Sequence, residues 1–284
     1  MARVIAHRGA RSIAPENTLL AAQIAHQAGA DNWETDVNLT RDSELVLFHD
    51  ETLLRCTDAK SKFPSRSSYC VRDFNLEDIK ALDAGSFFID TDPFLQISKA
   101  RVSKKSLLSF KNETIPTLEQ GLLFTKEKKW IVNLELKYFL SKTNGTFISD
   151  QTLDIIYQTK IDLNRVIISS FHHEWLDRIM KKEPHIEVQA LVGENMDEPL
   201  DFGDFRFPTY NVNADLITPD QIRQLKSKGK KINLFTVNDQ KEFLKFDRLG
   251  VDGMFTDFPQ KFFKKILFNY IIVSSQRLIS QKLK

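Results

Sequence analysis

Cysteine is scarce in this 284-residue chain, and neither Cys56 nor Cys70 has metal-type spacing. A disulfide framework and a cysteine-ligated metal are therefore not expected, and the chain suits a reducing compartment, the cytoplasm. Long hydrophobic runs are also missing. None approaches the roughly 20 apolar residues a spanning helix needs, and the longest candidate, Phe262 to Val273, is broken by Lys264, Lys265 and Asn269. The first strand is expected from about residue 3, which leaves no room ahead of it for a signal peptide. Excess charge of one sign is absent too, with 40 basic against 38 acidic residues and a net charge of +2. That gives no field of the kind nucleic-acid binding requires, so no nucleic-acid partner is expected. Local basic stretches, Lys226 to Lys231 and Lys264-Lys265, read as solvated helix ends or as contacts for phosphate or anionic lipid. No glycine-rich phosphate loop follows the first strand, and no Gly-x-Ser-x-Gly elbow occurs. Nucleotide folds and a serine nucleophile are thereby disfavoured, and a cysteine nucleophile is too, since neither cysteine lies at a strand end.

What the chain does contain is an alternation of short apolar strands with longer helical patterns. The strands are Val4 to Ala6, Trp33 to Leu39, Leu45 to His49, Ile131 to Lys137, Val166 to Phe171, Val188 to Val192, Ile232 to Val237 and Gly253 to Asp257. Tyr210 to Asn213 is left over as a further short strand, so the count is open by one. Helix starts are marked by Pro15-Glu16-Asn17-Thr18, by Thr117 with Gln120 at capping-box spacing, and by Thr218-Pro219-Asp220. Eight such units in a chain of this length predict a single α/β domain, a closed TIM (β/α)8 barrel. Residues about 52 to 114 break the alternation and read as an insertion after the third strand, over the barrel mouth. The C-terminal stretch, about 262 to 284, reads either as a closing helix with a tail or as a basic amphipathic helix in peripheral contact with a membrane.

Side chains alternate along a strand. Glu34, Asp36 and Asn38 therefore share one face of the second strand and Trp33, Thr35, Val37 and Leu39 the other. The apolar face should meet the helices, which turns the carboxylates into the barrel. Asn133, Glu135 and Lys137 repeat the pattern. Glu34, Asp36 and Glu135 make a hard oxygen site suited to one divalent cation, Mg2+ or Ca2+. The other reading is a structural ion network with Arg8 and Lys137, but buried ion pairs are weak stabilisers. His7 and His49 end the first and third strands and can supply one base and one acid. Arg8 can fork onto phosphate oxygens and Lys137 can stabilise charge in the transition state, so an anionic substrate and metal-assisted phosphoryl transfer are expected.

At these residues the sequence resembles the glycerophosphodiester phosphodiesterase family. The resemblance runs in order through His7-Arg8-Gly9, Pro15-Glu16-Asn17-Thr18, Glu34-Thr35-Asp36-Val37, Leu47-Phe48-His49-Asp50, Asp83-Ala84-Gly85, Ile115-Pro116-Thr117-Leu118, Leu134-Glu135-Leu136-Lys137, Ser170-Phe171, Thr236-Val237-Asn238 and Gly250 to Gly253 with Thr256-Asp257. It implies a TIM barrel with an insertion, a divalent cation on Glu34, Asp36 and Glu135, His7 and His49 as acid and base, and phosphate contacts from Arg8 and Lys137. Phe235 stands where the family usually has tryptophan, on the wall facing substrate, and Ser43 where a turn glycine is common.

The activity implied is hydrolysis of a small glycerophosphodiester to sn-glycerol 3-phosphate and an alcohol. Two alternatives use the same residues: a lysophospholipase D or sphingomyelinase D-like enzyme acting on single-tailed phospholipids, and a non-catalytic barrel that binds a phosphate ligand.

Overall fold

The computed structural model describes residues 1–137 and 146–262. In chain order the elements are β1 (Arg3–Ala6), α1 (Leu19–Gln27), β2 (Asn32–Leu39), β3 (Leu45–Leu47), the short helices α2 (Ala59–Lys62), α3 (Leu76–Lys80), α4 (Ser86–Thr91) and α5 (Lys104–Phe110), then α6 (Leu118–Glu127), β4 (Val132–Leu136), α7 (Thr146–Thr159), β5 (Val166–Ser170), α8 (His173–Lys182), β6 (Glu187–Val192), β7 (Thr209–Asn213), α9 (Pro219–Ser227), β8 (Lys231–Phe235), α10 (Gln240–Arg248) and β9 (Gly253–Thr256).

Eight parallel strands, β1, β2 and β4 to β9, pair in sequence and close through β1 against both β2 and β9. The fold is the expected (β/α)8 barrel, but two strands exchange roles. Leu45–Leu47 pairs antiparallel with β2, Val37 facing Leu47, and lies outside the parallel ring. Its place in the ring is taken by Thr209–Asn213, the segment left over in the sequence. The cause is the length of the connection. Five residues separate Leu39 from Leu45, enough for a hairpin and far too few for the crossover a parallel neighbour requires. The turn is held by Thr40, whose N–H donates to the Glu44 carbonyl, and Ser43 occupies the left-handed region at φ 68°. A glycine would adopt that conformation without strain. A second departure is the β6 to β7 connection, which crosses without a helix; there Phe202 and Phe207 pack edge-on against Tyr210.

The helix starts follow the sequence signals. Thr18 caps α1 by accepting from the Ala21 N–H, and Thr117 with Gln120 and Thr218 with Gln221 form complete capping boxes. One apolar face of each barrel strand packs outward against the helices: Trp33, Val37, Val132, Leu134, Val188, Tyr210 and Leu234 join a single buried cluster with Leu122, Ile156, Leu176 and Leu225. The inward faces carry a belt of buried amides. Asn133, Gln189, Asn211 and Asn233 are completely buried inside the ring and joined by amide hydrogen bonds, Asn233 Nδ2 to Asn211 Oδ1 at 2.9 Å and to Gln189 Oε1 at 3.2 Å.

Residues between β3 and α6 fold into their own apolar clusters. Leu53, Phe74, Ile79, Leu82 and Ile115 make one, and Phe88 with Phe110 anchors another against Ala14 and Ala21 of the barrel. Gly85 is required where these meet, since a Cβ there would lie 1.7 Å from the Phe110 carbonyl oxygen. The C-terminal stretch read as a closing helix or a membrane-surface helix lies, beyond Phe262, outside the described residues. Among the described residues no helix is long and apolar enough to cross a membrane.

Candidate active site

The C-terminal ends of β1, β2, β4 and β8, with the segment after β3 that carries His49, bring together the residues singled out from the sequence. β2 and β4 pair in register, Glu34 beside Asn133 and Asp36 beside Glu135, so the two polar faces coincide. Ligand oxygens from Glu34, Asp36 and Glu135 all lie within 4.8 Å of one another. His7 follows β1 directly, and its N–H continues the ladder to the Thr256 carbonyl. The chain then turns sharply through Arg8 (φ 53°) and Gly9 (φ 80°). A side chain at Gly9 would meet the Ala21 backbone of α1 at 2.7 Å, so this turn accepts only glycine.

The turn aims the Arg8 N–H at Glu34 Oε2 (2.9 Å) and the Arg8 guanidinium at Glu16 Oε1 (2.8 Å). Arg8 Nε lies 3.2 Å from Asp36 Oδ2, an ion pair without hydrogen-bond alignment. Lys137 Nζ donates to Glu135 Oε1 at 2.7 Å and sits 3.6 Å from Asp36 Oδ1. His7 Nδ1 is 2.7 Å from Asp257 Oδ1, and His49 Nδ1 is 2.6 Å from Asp50 Oδ1.

Burial lowers the His7 pKa, and the neighbouring Arg8 charge adds to the effect against the opposing contact with Asp257. Burial works against ionising Asp257, but the hydrogen bond and charge of His7, with Arg11 and Asn238, outweigh it and hold its pKa at about 2. An ionised Asp257 fixes the proton on His7 Nδ1 and leaves Nε2 as the free lone pair. Burial, together with the like charges of Asp36 and Glu135, holds Glu34 well above the usual carboxylate range. Asp36 is equally buried, but Arg8, His49, Lys137 and the Asn17 amide overcome the desolvation and keep its pKa low.

The carboxylates fit a cation. Glu34 Oε1 and Asp36 Oδ1 are buried and have no hydrogen-bond partner, a costly state for carboxylate oxygens unless a cation or proton meets them. The charges agree. With every carboxyl ionised, Glu34 included, Glu16, Glu34, Asp36, Asp50, Glu135 and Asp257 face Arg8, Arg11, Arg55 and Lys137, an excess of two negative charges that one divalent cation would balance. The set is all oxygen, which suits a hard ion.

Several residues were not assigned roles from the sequence. Glu16 gathers Arg8, Arg11 and Arg55, the last reaching in from the insertion to grip both Glu16 (2.7 Å) and Asp50 (2.6 Å). Asn17 donates to Asp36 Oδ2 at 2.8 Å while its carbonyl accepts from Thr35 Oγ1. Asp257 and Asp50 each back a histidine. Asp50, beside His49, and Asp257, an acid at a strand end, carried a readable signal; Arg11 and Arg55 carried none. Cys56 is buried and free, and burial with the nearby Glu16 charge pushes its thiol pKa up, which removes it as a nucleophile.

The cleft above the carboxylates encloses about 750 Å³ and is lined by His49, Glu135, Lys137, Phe171, Glu194 and Phe235, among others. A narrower floor beneath it is lined by His7, Glu34, Glu135, Phe235 and Phe255. Phe235 meets Phe171 edge-on at 6.1 Å, so the position where tryptophan is usual does lie on the cleft wall.

The model of the glycerophosphoryl diester phosphodiesterase family matches residues 7–261. The chain belongs to that family. It is therefore an enzyme, a phosphoric diester hydrolase. It is 33% identical to a glycerophosphodiester phosphodiesterase of Bacillus altitudinis over 92% of this chain and 96% of that one. A glycerophosphodiester phosphodiesterase of Caldanaerobacter subterraneus is also 33% identical, over 90% and 94%. Among solved structures, an Oleispira antarctica phosphodiesterase in complex with the product sn-glycerol-3-phosphate superposes with a TM-score of 0.76 at 26% identity, covering 94% of this chain and 97% of that one.

Proposed function

We propose that this family member hydrolyses small glycerophosphodiesters to sn-glycerol 3-phosphate and an alcohol, with one divalent cation, Mg2+ or Ca2+, held by Glu34, Asp36 and Glu135. The observation that carries the reading is the pair of buried carboxylate oxygens without a hydrogen-bond donor, Glu34 Oε1 and Asp36 Oδ1, beside two histidines that are each held by an aspartate. A bound cation would supply Lewis-acid neutralisation of the phosphate oxygens. Arg8 and Lys137, on the rim of the same cage, bind and orient those oxygens, and Lys137 opposes the negative charge that grows on them.

The proton work falls to the histidines. His7 sits on the narrow floor, which suits the glycerol end, and its Nε2 takes the proton from the attacking oxygen, either water or the neighbouring glycerol 2-hydroxyl, the latter giving a cyclic phosphate that water then opens. His49 lines the open cleft, where the variable alcohol departs, and its Nε2 delivers a proton to the leaving alkoxide. Phe235 and Phe171 wall the cleft on the side of that alcohol. The free thiols of Cys56 and Cys70 favour the cytoplasm as the place of action.

The test is turnover on glycerophosphocholine and on lysophosphatidylcholine, with Mg2+, with Ca2+ and with chelator. Hydrolysis of the deacylated substrate, lost on chelation, is the expected result. A strong preference for the acylated substrate would replace this reading with a lysophospholipase D.

A further inference from the structure

The insertion carries a charge pattern at odds with the rest of the chain. Residues 93–111 hold five cations, Lys99, Arg101, Lys104, Lys105 and Lys111, and no aspartate or glutamate, in a protein whose total charge is +2. All five are exposed. The acid that precedes the segment, Asp92, is occupied within it, accepting from the Ile97 and Ser98 N–H groups and the Ser98 hydroxyl.

Helix α5 gives the pattern a direction. Ser103 caps it, and Leu107 and Phe110 pack inward onto Phe88. Lys104 and Leu108, four residues apart, share the opposite face, with Lys105 next to them. Leu108 is 72% exposed and Leu95 56%. A lone exposed leucine means little. Two among five unopposed cations are different: a merely solvated face would mix both charges and gain nothing from leucine.

The segment is also fixed to the rim of the barrel mouth. Phe94 packs edge-on against Phe258, the residue after Asp257, at 5.6 Å, and the Arg11 guanidinium stacks 5.2 Å from the same Phe94 ring. Lys261 joins the patch, its ammonium lying 3.3 Å from the centroid of the same Phe258 ring that Phe94 meets.

We propose that residues 93–111, with Lys261, form a docking surface for an anionic lipid bilayer, the cations lying over the headgroups while Leu95 and Leu108 enter the interface. Cations and leucines on one face complement a negatively charged surface that has an apolar layer beneath it. A nucleic acid offers the charge without that layer, and the patch exposes no aromatic ring for base stacking. This inference stands apart from the substrate assignment, because its readout is binding and not turnover.

The experiment is co-sedimentation of the full chain with vesicles of phosphatidylcholine alone and with phosphatidylglycerol added. The protein should pellet with the anionic vesicles, be released by salt, and stay in solution with neutral ones. The Lys104→Gln/Lys105→Gln pair should weaken vesicle binding about tenfold or more, each cation near an anionic surface being worth roughly a factor of five. Leu108→Ser should weaken it about fivefold. Both variants should retain wild-type turnover of a soluble glycerophosphodiester, which shows that they fold. Wild-type protein that ignores anionic vesicles, or variants that bind them as wild type does, would overturn the proposal. So would binding that is indifferent to Leu108→Ser and fully competed by duplex DNA, since the surface would then recognise phosphate alone.

Discussion

Two polar layers lie inside the same barrel, one above the other, and they solve burial in opposite ways. The lower layer, Asn133, Gln189, Asn211 and Asn233, is neutral and bonds mainly to itself; its spare atoms, Asn211 Nδ2 and Asn233 Oδ1, belong to uncharged amides. The upper layer, Glu34, Asp36 and Glu135 with Arg8 and Lys137, is charged, and its spare atoms are two carboxylate oxygens and Arg8 Nε. An unmatched neutral amide costs about 1–3 kcal/mol, which a folded domain tolerates. An unmatched buried carboxylate costs far more and shifts its own pKa instead, which is what Glu34 does. The lower layer therefore fills space with neutral groups, whereas the upper one leaves two carboxylate oxygens open to a proton or a cation.

Substitutions in the two layers should separate these roles. The largest effect is expected at the histidines flanking the upper layer. His7→Ala or His49→Ala should lower kcat by about 100-fold or more with an unchanged circular dichroism spectrum, the usual worth of general acid-base catalysis. Loss of the folded spectrum in both variants would make these imidazoles structural. Asp257→Asn should act through His7 and lower kcat about 10- to 100-fold, with the pH–rate profile displaced and KM little changed. A profile that stays where it was would remove Asp257 as the positioning residue.

Glu34→Gln tests the charge argument by sign. A carboxyl group whose folded pKa is raised favours folding below its unfolded value and loses that contribution as pH rises. Without a cation at neutral pH, the variant should melt a few degrees above wild type, where about 1 kcal/mol corresponds to roughly 2–4 °C in a chain of this size. The advantage should close as pH falls through 4.5, and added Mg2+ or Ca2+ should stabilise wild type only. In the lower layer, Asn233→Leu should cost about 1–3 kcal/mol by chemical denaturation yet leave the cation dependence of activity as it was. The smallest effect is expected at the hairpin outside both layers, where Ser43→Gly should stabilise by about 1 kcal/mol or less by relieving the positive φ.

Much of the upper layer was legible because its logic is local. Alternation along β2 and β4 puts Glu34, Asp36 and Glu135 on inward faces whatever the neighbours are, and His7 and His49 mark strand ends by position alone. Helix starts were legible for the same reason, since a cap is a contact over three residues. The partners of those groups were not. Asp257 reaches His7 from 250 residues away, and Arg55 reaches Glu16 and Asp50 out of an insertion with no periodic pattern. The exchange of Leu45–Leu47 for Thr209–Asn213 was hidden likewise, because a short apolar run has the same appearance whether its neighbour is parallel or antiparallel.

The sequence by itself determined which chemical groups are present and which face of each strand carries them, because side-chain alternation and capping are properties of neighbouring residues. Closing the ring decided the rest. Pairing β1 with β9 sets Asp257 against His7, and pairing β2 with β4 sets Asp36 beside Glu135. Only in that enclosure do Glu34 Oε1 and Asp36 Oδ1 lose water without gaining a hydrogen-bond donor, and separately placed acids become one cluster of ligand oxygens.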